Sequence, residues 1–303
     1  MEDLALKIRE LKEKKNAVIL AHYYCNPEVQ DVADYLGDSL YLSQIAKNTK
    51  ADIIVFCGVD FMAETAKILN PDKKVILPVK NATCFMASTI NYQSLKKYKD
   101  DNPKTKIISY VNTTADVKAL SDCCCTSSNA IKIINYYLNN NEKIMYVPDQ
   151  NLGKYAMNLA NTNFEVWNGC CPVHHELEVS DVLAVKKLHP TSVVIAHPEC
   201  KPEVLKLADF VGSTKEMLNY SINSSEKSFI VCTEEGILYE MGKKSKDKEF
   251  ILASPKLKCK DMKLTTLEDV YKTLLNETNE IYVKEDIRIK ALEALNKMLE
   301  LSK

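Results

Sequence analysis

Apolar and polar positions alternate along this chain in blocks of recognisable period. Asp3 to Lys15 carries Leu4, Ile8 and Leu11 on one face, as an amphipathic helix does. Ala17 to Ala21 is apolar throughout, the mark of a strand covered on both faces. It runs into His22-Tyr23-Tyr24. Pro27 opens a second helix, and Gly37-Asp38-Ser39 leads into a third through Lys47, with Ser39 as its capping hydroxyl. Asp52 to Cys57 predicts another buried strand, Phe61 to Leu69 a helix and Val75 to Leu77 a strand; Cys84 follows.

The same order then returns twice. Leu95 to Lys99 lies in a helix, Ile107 to Asn112 in a strand and Thr114 to Leu120 in a helix; Thr126-Ser127-Ser128 caps the next one. Strand 143–147, helix 153–159 and strand 165–167 lead to Cys171. In the third pass, helix 182–188, strand 193–197 and helix 203–208 precede the cap Gly212-Ser213-Thr214. Strand 229–232, helix 237–242 and strand 250–252 lead to Cys259. The tail predicts helices over 267–275 and 287–301, with a short strand Ile281-Tyr282-Val283 between them.

Three kinds of position keep one period. Cys84, Cys171 and Cys259 are 87 and 88 residues apart; His22, Tyr110 and His197 are 88 and 87 apart, as are Ser39, Ser127 and Thr214. A period of that length signals repeated units. Strands alternating with helices predict the α/β class: three α/β/α sandwich domains with short parallel sheets, related by a pseudo-threefold axis, with the active site on that axis. The expected units are 1–85, 86–172 and 173–275, with 276–303 packing back on the body. The absence of Gly/Ser linkers predicts tight packing between them.

Composition narrows the classes. A net charge of −1 over 303 residues gives no global attraction to nucleic acid or to an acidic membrane surface. Lys243-Lys244-Ser245-Lys246 is balanced by nearby acids and reads as a solvated loop. No apolar run approaches a membrane span, and Met-Glu-Asp does not open a signal peptide. Eleven cysteines, three of them consecutive, point to free or metal-bound thiols in a reducing cytoplasm rather than a disulfide framework. Cys57 and Cys232 end apolar runs and read as small buried hydrophobes, and packing also accounts best for Cys123 to Cys125. Cys25 and Cys200 read as non-ligands, and Trp167 as core. Seven glycines and no Gly-rich phosphate loop disfavour a dinucleotide cofactor.

In open parallel sheets ligands bind beyond the carboxyl ends of the strands. Applied around one axis, that rule aims His22, Tyr24, Tyr110, Asn112, His197 and Glu199 at a common centre. Ser39, Ser127 and Thr214 would stand at helix N-termini, which attract phosphate and carboxylate. Three thiolates from Cys84, Cys171 and Cys259 could hold a [4Fe–4S] cluster with one iron open as a Lewis acid, or zinc with an imidazole such as His174. The spacing does not choose between the two.

These residues resemble the quinolinate synthase family. The resemblance rests on Ala21-His22-Tyr23-Tyr24, Gly37-Asp38-Ser39-Leu40, 62–67, 110–114, 124–129, 148–153, Trp167 to His174, His197-Pro198-Glu199-Cys200, Gly212-Ser213-Thr214 and 259–263. It covers residues 21–263 in the family's order. It implies a [4Fe–4S] cluster on Cys84, Cys171 and Cys259. It also implies condensation of iminosuccinate with dihydroxyacetone phosphate to quinolinate, releasing phosphate and two waters. The implied substrate contacts are His22, Ser39, Tyr110, Val111, Asn112, Ser127, His197, Pro198, Glu199 and Thr214. The implied acid–base groups are Tyr24 and Glu199, with His174 near the cluster. Unstable iminosuccinate would arrive through transient contact with the enzyme that makes it; neither nucleic acid nor membrane is implied. Phe85 and Lys260 stand where a proline commonly follows the ligand cysteine, and Tyr23 where Asn is frequent. The alternative is a zinc- or thiol-bearing binding protein for small phosphorylated acids, without catalysis.

Overall fold

The structure is a computed structural model that describes residues 2–303. Its first sheet is built from α1 (Glu2–Lys14), β1 (Ala17–His22), α2 (Pro27–Val32), β2 (Tyr35–Gly37), α3 (Ser39–Asn48), β3 (Ile53–Cys57), α4 (Asp60–Leu69) and β4 (Lys74–Ile76). The second follows α5 (Phe85–Ser88): α6 (Tyr92–Asp101), β5 (Thr105–Tyr110), α7 (Ala115–Lys118), β6 (Cys123–Cys125), α8 (Ala130–Asn139), β7 (Lys143–Val147), α9 (Gln150–Ala160) and β8 (Glu165–Val166). The third follows α10 (Pro172–His175): α11 (Val179–Leu188), β9 (Val193–Ala196), α12 (Pro202–Leu205), β10 (Phe210–Val211), α13 (Thr214–Asn223), β11 (Ser228–Cys232), α14 (Ile237–Lys244) and β12 (Glu249–Leu252). The chain closes with α15 (Leu267–Asn276) and α16 (Glu285–Leu301).

The three sheets share one topology. Their strand orders are β2-β1-β3-β4, β6-β5-β7-β8 and β10-β9-β11-β12, and every pairing within them is parallel. Helices must therefore carry the chain back across each sheet, and both faces are covered. That is why the central strands read as unbroken apolar runs: Ile19, Leu20, Ile107, Ile108, Ile195 and Ile230 are fully buried.

Each sheet also has a short edge strand, β2, β6 or β10, that hydrophobic patterning does not reveal. Two or three residues are too few to show a period. The structure supplies the signal instead. Asp34, Asp122 and Asp209 precede these edges and again lie 88 and 87 residues apart. The carboxylate of each accepts from the backbone N–H of Ile19, Ile107 or Val194 at 2.8, 2.9 and 2.8 Å. The backbone N–H of each aspartate donates back to the carbonyl of that same residue. One aspartate thus fixes the start of each edge pairing.

The sheets meet in one continuous core. Leu20 and Phe56 from the first, Ile108 and Tyr146 from the second, and Ile195 and Phe229 from the third belong to a single buried cluster. The tail helices tie it down: α15 packs on α1, and α16 packs on α4, α7 and β6. Two expectations are corrected. Ile281 to Val283 is not a strand. Pairing there is one antiparallel bridge of Glu280 to Ile76, formed by the bonds from the Ile281 N–H to the Val75 carbonyl and from the Leu77 N–H to the Asn279 carbonyl, and Tyr282 then faces solvent as the chain turns into α16. Lys243 and Lys244 do not lie in a loop; they close α14, where their charge opposes the negative end of the helix dipole.

Candidate active site

The carboxyl ends of the three first strands open into one cavity of about 540 Å³. His22, Tyr24, Ser39 and Cys84 reach it from the first repeat. Tyr110, Asn112, Ser127 and Cys171 come from the second, and His174, His197, Glu199, Thr214 and Cys259 from the third. Val111 and Pro198 are buried without lining it. Phe85 and Lys260 both lie at its wall; Phe85 opens α5 directly after Cys84, as Pro172 opens α10 directly after Cys171.

Two histidines are set by the same turn. The backbone N–H of Tyr24 donates to Nδ1 of His22 at 3.2 Å, and that of Glu199 donates to Nδ1 of His197 at 3.3 Å. With Nδ1 an acceptor, the proton of each neutral ring sits on Nε2. Burial holds both rings neutral, with pKa values of about 3; beyond burial, His197 also lowers His22 and His174 also lowers His197, while Glu199 opposes the shift in both. The cavity therefore has two neutral N–H donors.

The three hydroxyls are not caps. Asp38 caps α3 and accepts from the Tyr41 N–H; Ser213 caps α13 and accepts from the Glu216 N–H. Ser39 and Thr214 are the first helical residues, one position further on. Ser127 lies in the turn before α8, whose N-cap is Asn129. The hydroxyls of Ser39 and Ser127 are thus released from helix termination and line the cavity, while that of Thr214 bonds Tyr24 at 2.9 Å.

Glu199 is the electrostatic centre. Its two carboxylate oxygens accept from the Tyr110 hydroxyl at 2.6 Å and lie 2.9 Å from His174 Nδ1. Burial opposes its charge, but His197, His174 and these hydrogen bonds outweigh burial and keep the carboxyl below the usual range. The Tyr24 and Tyr110 phenols go the other way: burial first, then Glu199, push both well above their ordinary value. The site thus pairs a carboxylate with two phenols that hold their protons.

Cys84, Cys171 and Cys259 are free thiols, partly buried at the same cavity. Burial raises all three; beyond burial, Cys259 also raises Cys84, and Cys84 also raises Cys171. Three soft sulfur donors at one cavity, with a cost to ionising that a cation would reverse, fit a metal cofactor. Sulfur of Cys171 also lies within 4.8 Å of donor atoms of His174 and Glu199.

Sequence reasoning missed the groups that hold these loops. Asp149 and Glu234, both fully buried, stand two residues past the ends of β7 and β11. Asp149 accepts from the Cys171 N–H at 3.0 Å and Glu234 from the Cys259 N–H at 3.1 Å. Their shared register after a strand was the available signal. Lys263 pairs with Glu234 at 3.0 Å and donates to the Tyr24 carbonyl at 2.7 Å. Gly236 permits this approach, since a Cβ there would lie 2.7 Å from the Tyr23 carbonyl oxygen. Elsewhere the expectations agree with the packing: Cys57, Cys232 and Cys123 to Cys125 are buried, and Trp167 packs in a satellite core.

Residues 6–300 match the family model NadA, quinolinate synthetase A protein. The chain belongs to this family. It is 48% identical over 301 residues to a quinolinate synthase of Clostridium perfringens (strain SM101 / Type A), covering 99% of each chain. It is 48% identical over 307 residues to one of Microcystis aeruginosa, covering 99% of this chain and 96% of the relative. A quinolinate synthase of Clostridioides difficile (strain 630) is 45% identical over 302 residues, with 99% of each covered. Membership marks the chain as an enzyme of this type. No described helix is long and apolar enough to cross a membrane.

Proposed function

We propose that the chain condenses iminosuccinate with dihydroxyacetone phosphate to quinolinate, with loss of phosphate and two waters. The observation that carries this reading is the meeting of Cys84, Cys171 and Cys259 with Tyr24, His174 and Glu199 in one cavity. The three cysteines would hold a [4Fe–4S] cluster, which when bound offers one iron as a Lewis acid for a hydroxyl or carboxylate oxygen. The second reading is a zinc site that His174 completes, and its support is the 3.2 Å approach of His174 Nδ1 to Cys171 Sγ.

The remaining residues divide the work. His22 and His197 present Nε2–H donors to substrate carboxylate or carbonyl oxygens. Ser39 and Thr214 begin α3 and α13, and the free N–H groups there suit a phosphate or carboxylate. Tyr110, Asn112 and Ser127 bind from the second repeat; the amide oxygen of Asn112 is buried and has no partner among the described residues, which suits a ligand donor. Val111 and Pro198 would act through backbone shape. Tyr24, with its proton held, serves as acid; Glu199, a carboxylate, serves as base, with His174 beside it. The test is anaerobic purification followed by assay: a brown protein containing iron and sulfide that forms quinolinate from the two substrates supports the reading. A colourless zinc protein that binds phosphorylated acids and turns over nothing would replace it.

A further inference from the structure

Asn151 is the second residue of α9, in the second repeat; it is buried and does not line the cavity. Its amide nitrogen makes two bonds into the third repeat. One goes to the backbone carbonyl of Glu199 at 2.8 Å, the other to His175 Nδ1 at 3.0 Å. A backbone carbonyl only accepts, so the NH₂ group of Asn151 must face Glu199. That group has a second hydrogen, and His175 Nδ1 accepts it. The Glu199–Cys200 peptide is thereby held at both ends, since the Cys200 N–H donates to the His197 carbonyl at 3.0 Å. His175 belongs to α10, beside His174. The two segments that Asn151 joins therefore carry the two partners of the 2.9 Å contact between Glu199 and His174. Tyr24 and Glu199 hold equivalent positions in their repeats, and the Tyr24 carbonyl is likewise held by a side chain, Lys263 Nζ at 2.7 Å.

We propose that Asn151 is a positioning residue for the proposed reaction, whose amide fixes the backbone of Glu199 and ties it to α10, so that the carboxylate stands at one place in the cavity. The inference rests on the reading of Glu199 as the base. Glu199 lies in the turn between β9 and α12, where no strand partner holds its carbonyl. A buried carbonyl that loses its donor must turn to find another, and the side chain of the same residue turns with it. The anchor itself is rigid. Asn151 stands on the first turn of α9, and the Asp149 carboxylate caps that turn by accepting from the Leu152 N–H at 2.7 Å. A helix-borne NH₂ group that reaches two acceptors sets the distance between them; an oxygen in its place repels both.

Asn151→Asp keeps the shape and replaces the NH₂ group by oxygen. With iron content matched to the parent, it is expected to lower kcat about 10- to 100-fold, part of a general acid–base contribution, with KM for dihydroxyacetone phosphate within about threefold. Because Asn151 acts through Glu199, the Glu199→Gln/Asn151→Asp double variant should be no slower than Glu199→Gln alone. Near-parental kcat in the aspartate form, a loss expressed in KM instead of kcat, or additive losses in the double variant would each overturn the proposal. Should the aspartate form fail to fold, Asn151→Ser, too short to reach both acceptors, takes its place in each measurement. Crystal structures of parent and variant decide the matter even if the parent, iron-loaded, makes no quinolinate and the proposed reaction is wrong. A Glu199–His174 contact longer in the variant than in the parent supports positioning by Asn151, and a contact kept at the parental distance refutes it.

Discussion

Replacing Glu199 by Gln separates chemistry from architecture at this site. In the parent, one carboxylate oxygen accepts from Tyr110 at 2.6 Å and the other sits 2.9 Å from His174 Nδ1. Gln has nearly the same shape and can keep both contacts, since its amide oxygen accepts from His174 and its NH₂ donates to the Tyr110 oxygen. What is lost is the charge that strengthens both bonds, and hydrogen bonds to charged groups are worth about 1.5–3 kcal/mol each. Against that stands relief from burying an ion, which often offsets such a loss. The net change in folding stability should therefore stay within about 3 kcal/mol, a shift of several degrees in Tm at most. Catalysis has no such compensation, because an amide cannot take a proton. Turnover should fall by about 10²-fold or more, close to 3 kcal/mol of activation free energy. The assay is anaerobic quinolinate formation by iron-matched parent and variant, alongside thermal unfolding. Near-parental turnover with intact iron would refute the assignment of Glu199 as base. A collapse in Tm or iron content would show that its role is structural.

Three further outcomes are expected. Single Ser substitutions at Cys84, Cys171 or Cys259 should abolish iron binding, whereas Cys57→Ser or Cys232→Ser should keep the iron and cost about 1–3 kcal/mol for a hydroxyl in an apolar strand; iron and sulfide analysis with urea unfolding checks both. Asp38→Ala and Ser213→Ala should each cost about 1 kcal/mol as lost caps, while Ser39→Ala should leave Tm nearly unchanged and reduce the thermal protection given by dihydroxyacetone phosphate. His22 and His197, held at about 3 against an ordinary 6.5, stay unprotonated in the folded chain while the unfolded chain takes up protons, so stability should decline as pH falls below about 6.5, by roughly 1 kcal/mol per pH unit for each; His22→Asn or His197→Asn should flatten that slope in urea titrations between about pH 5 and 7.

The sequence by itself determined the class and the count of units. Buried parallel strands have to be apolar along their whole length, and Ala17 to Ala21 and its two counterparts carry that mark in the chain. The period that places His22, Tyr110 and His197 at equivalent strand ends also assigns Cys84, Cys171 and Cys259 to one centre, because topology puts the carboxyl ends of parallel strands on one side. Tertiary structure alone decided what depends on contact between units. Thr233 and Glu234 look unremarked after a strand, yet one bridges Tyr24 to His174 and the other accepts from Cys259. No local spacing encodes those partners. The capping roles moved by one residue, to Asp38 and Ser213, because cap geometry is set by backbone angles that residue type only biases. The expected strand at 281–283 shrank to a bridge because β-branched and aromatic residues favour a strand only where an edge is there to pair with, and the chain leaves the β4 edge after Ile281.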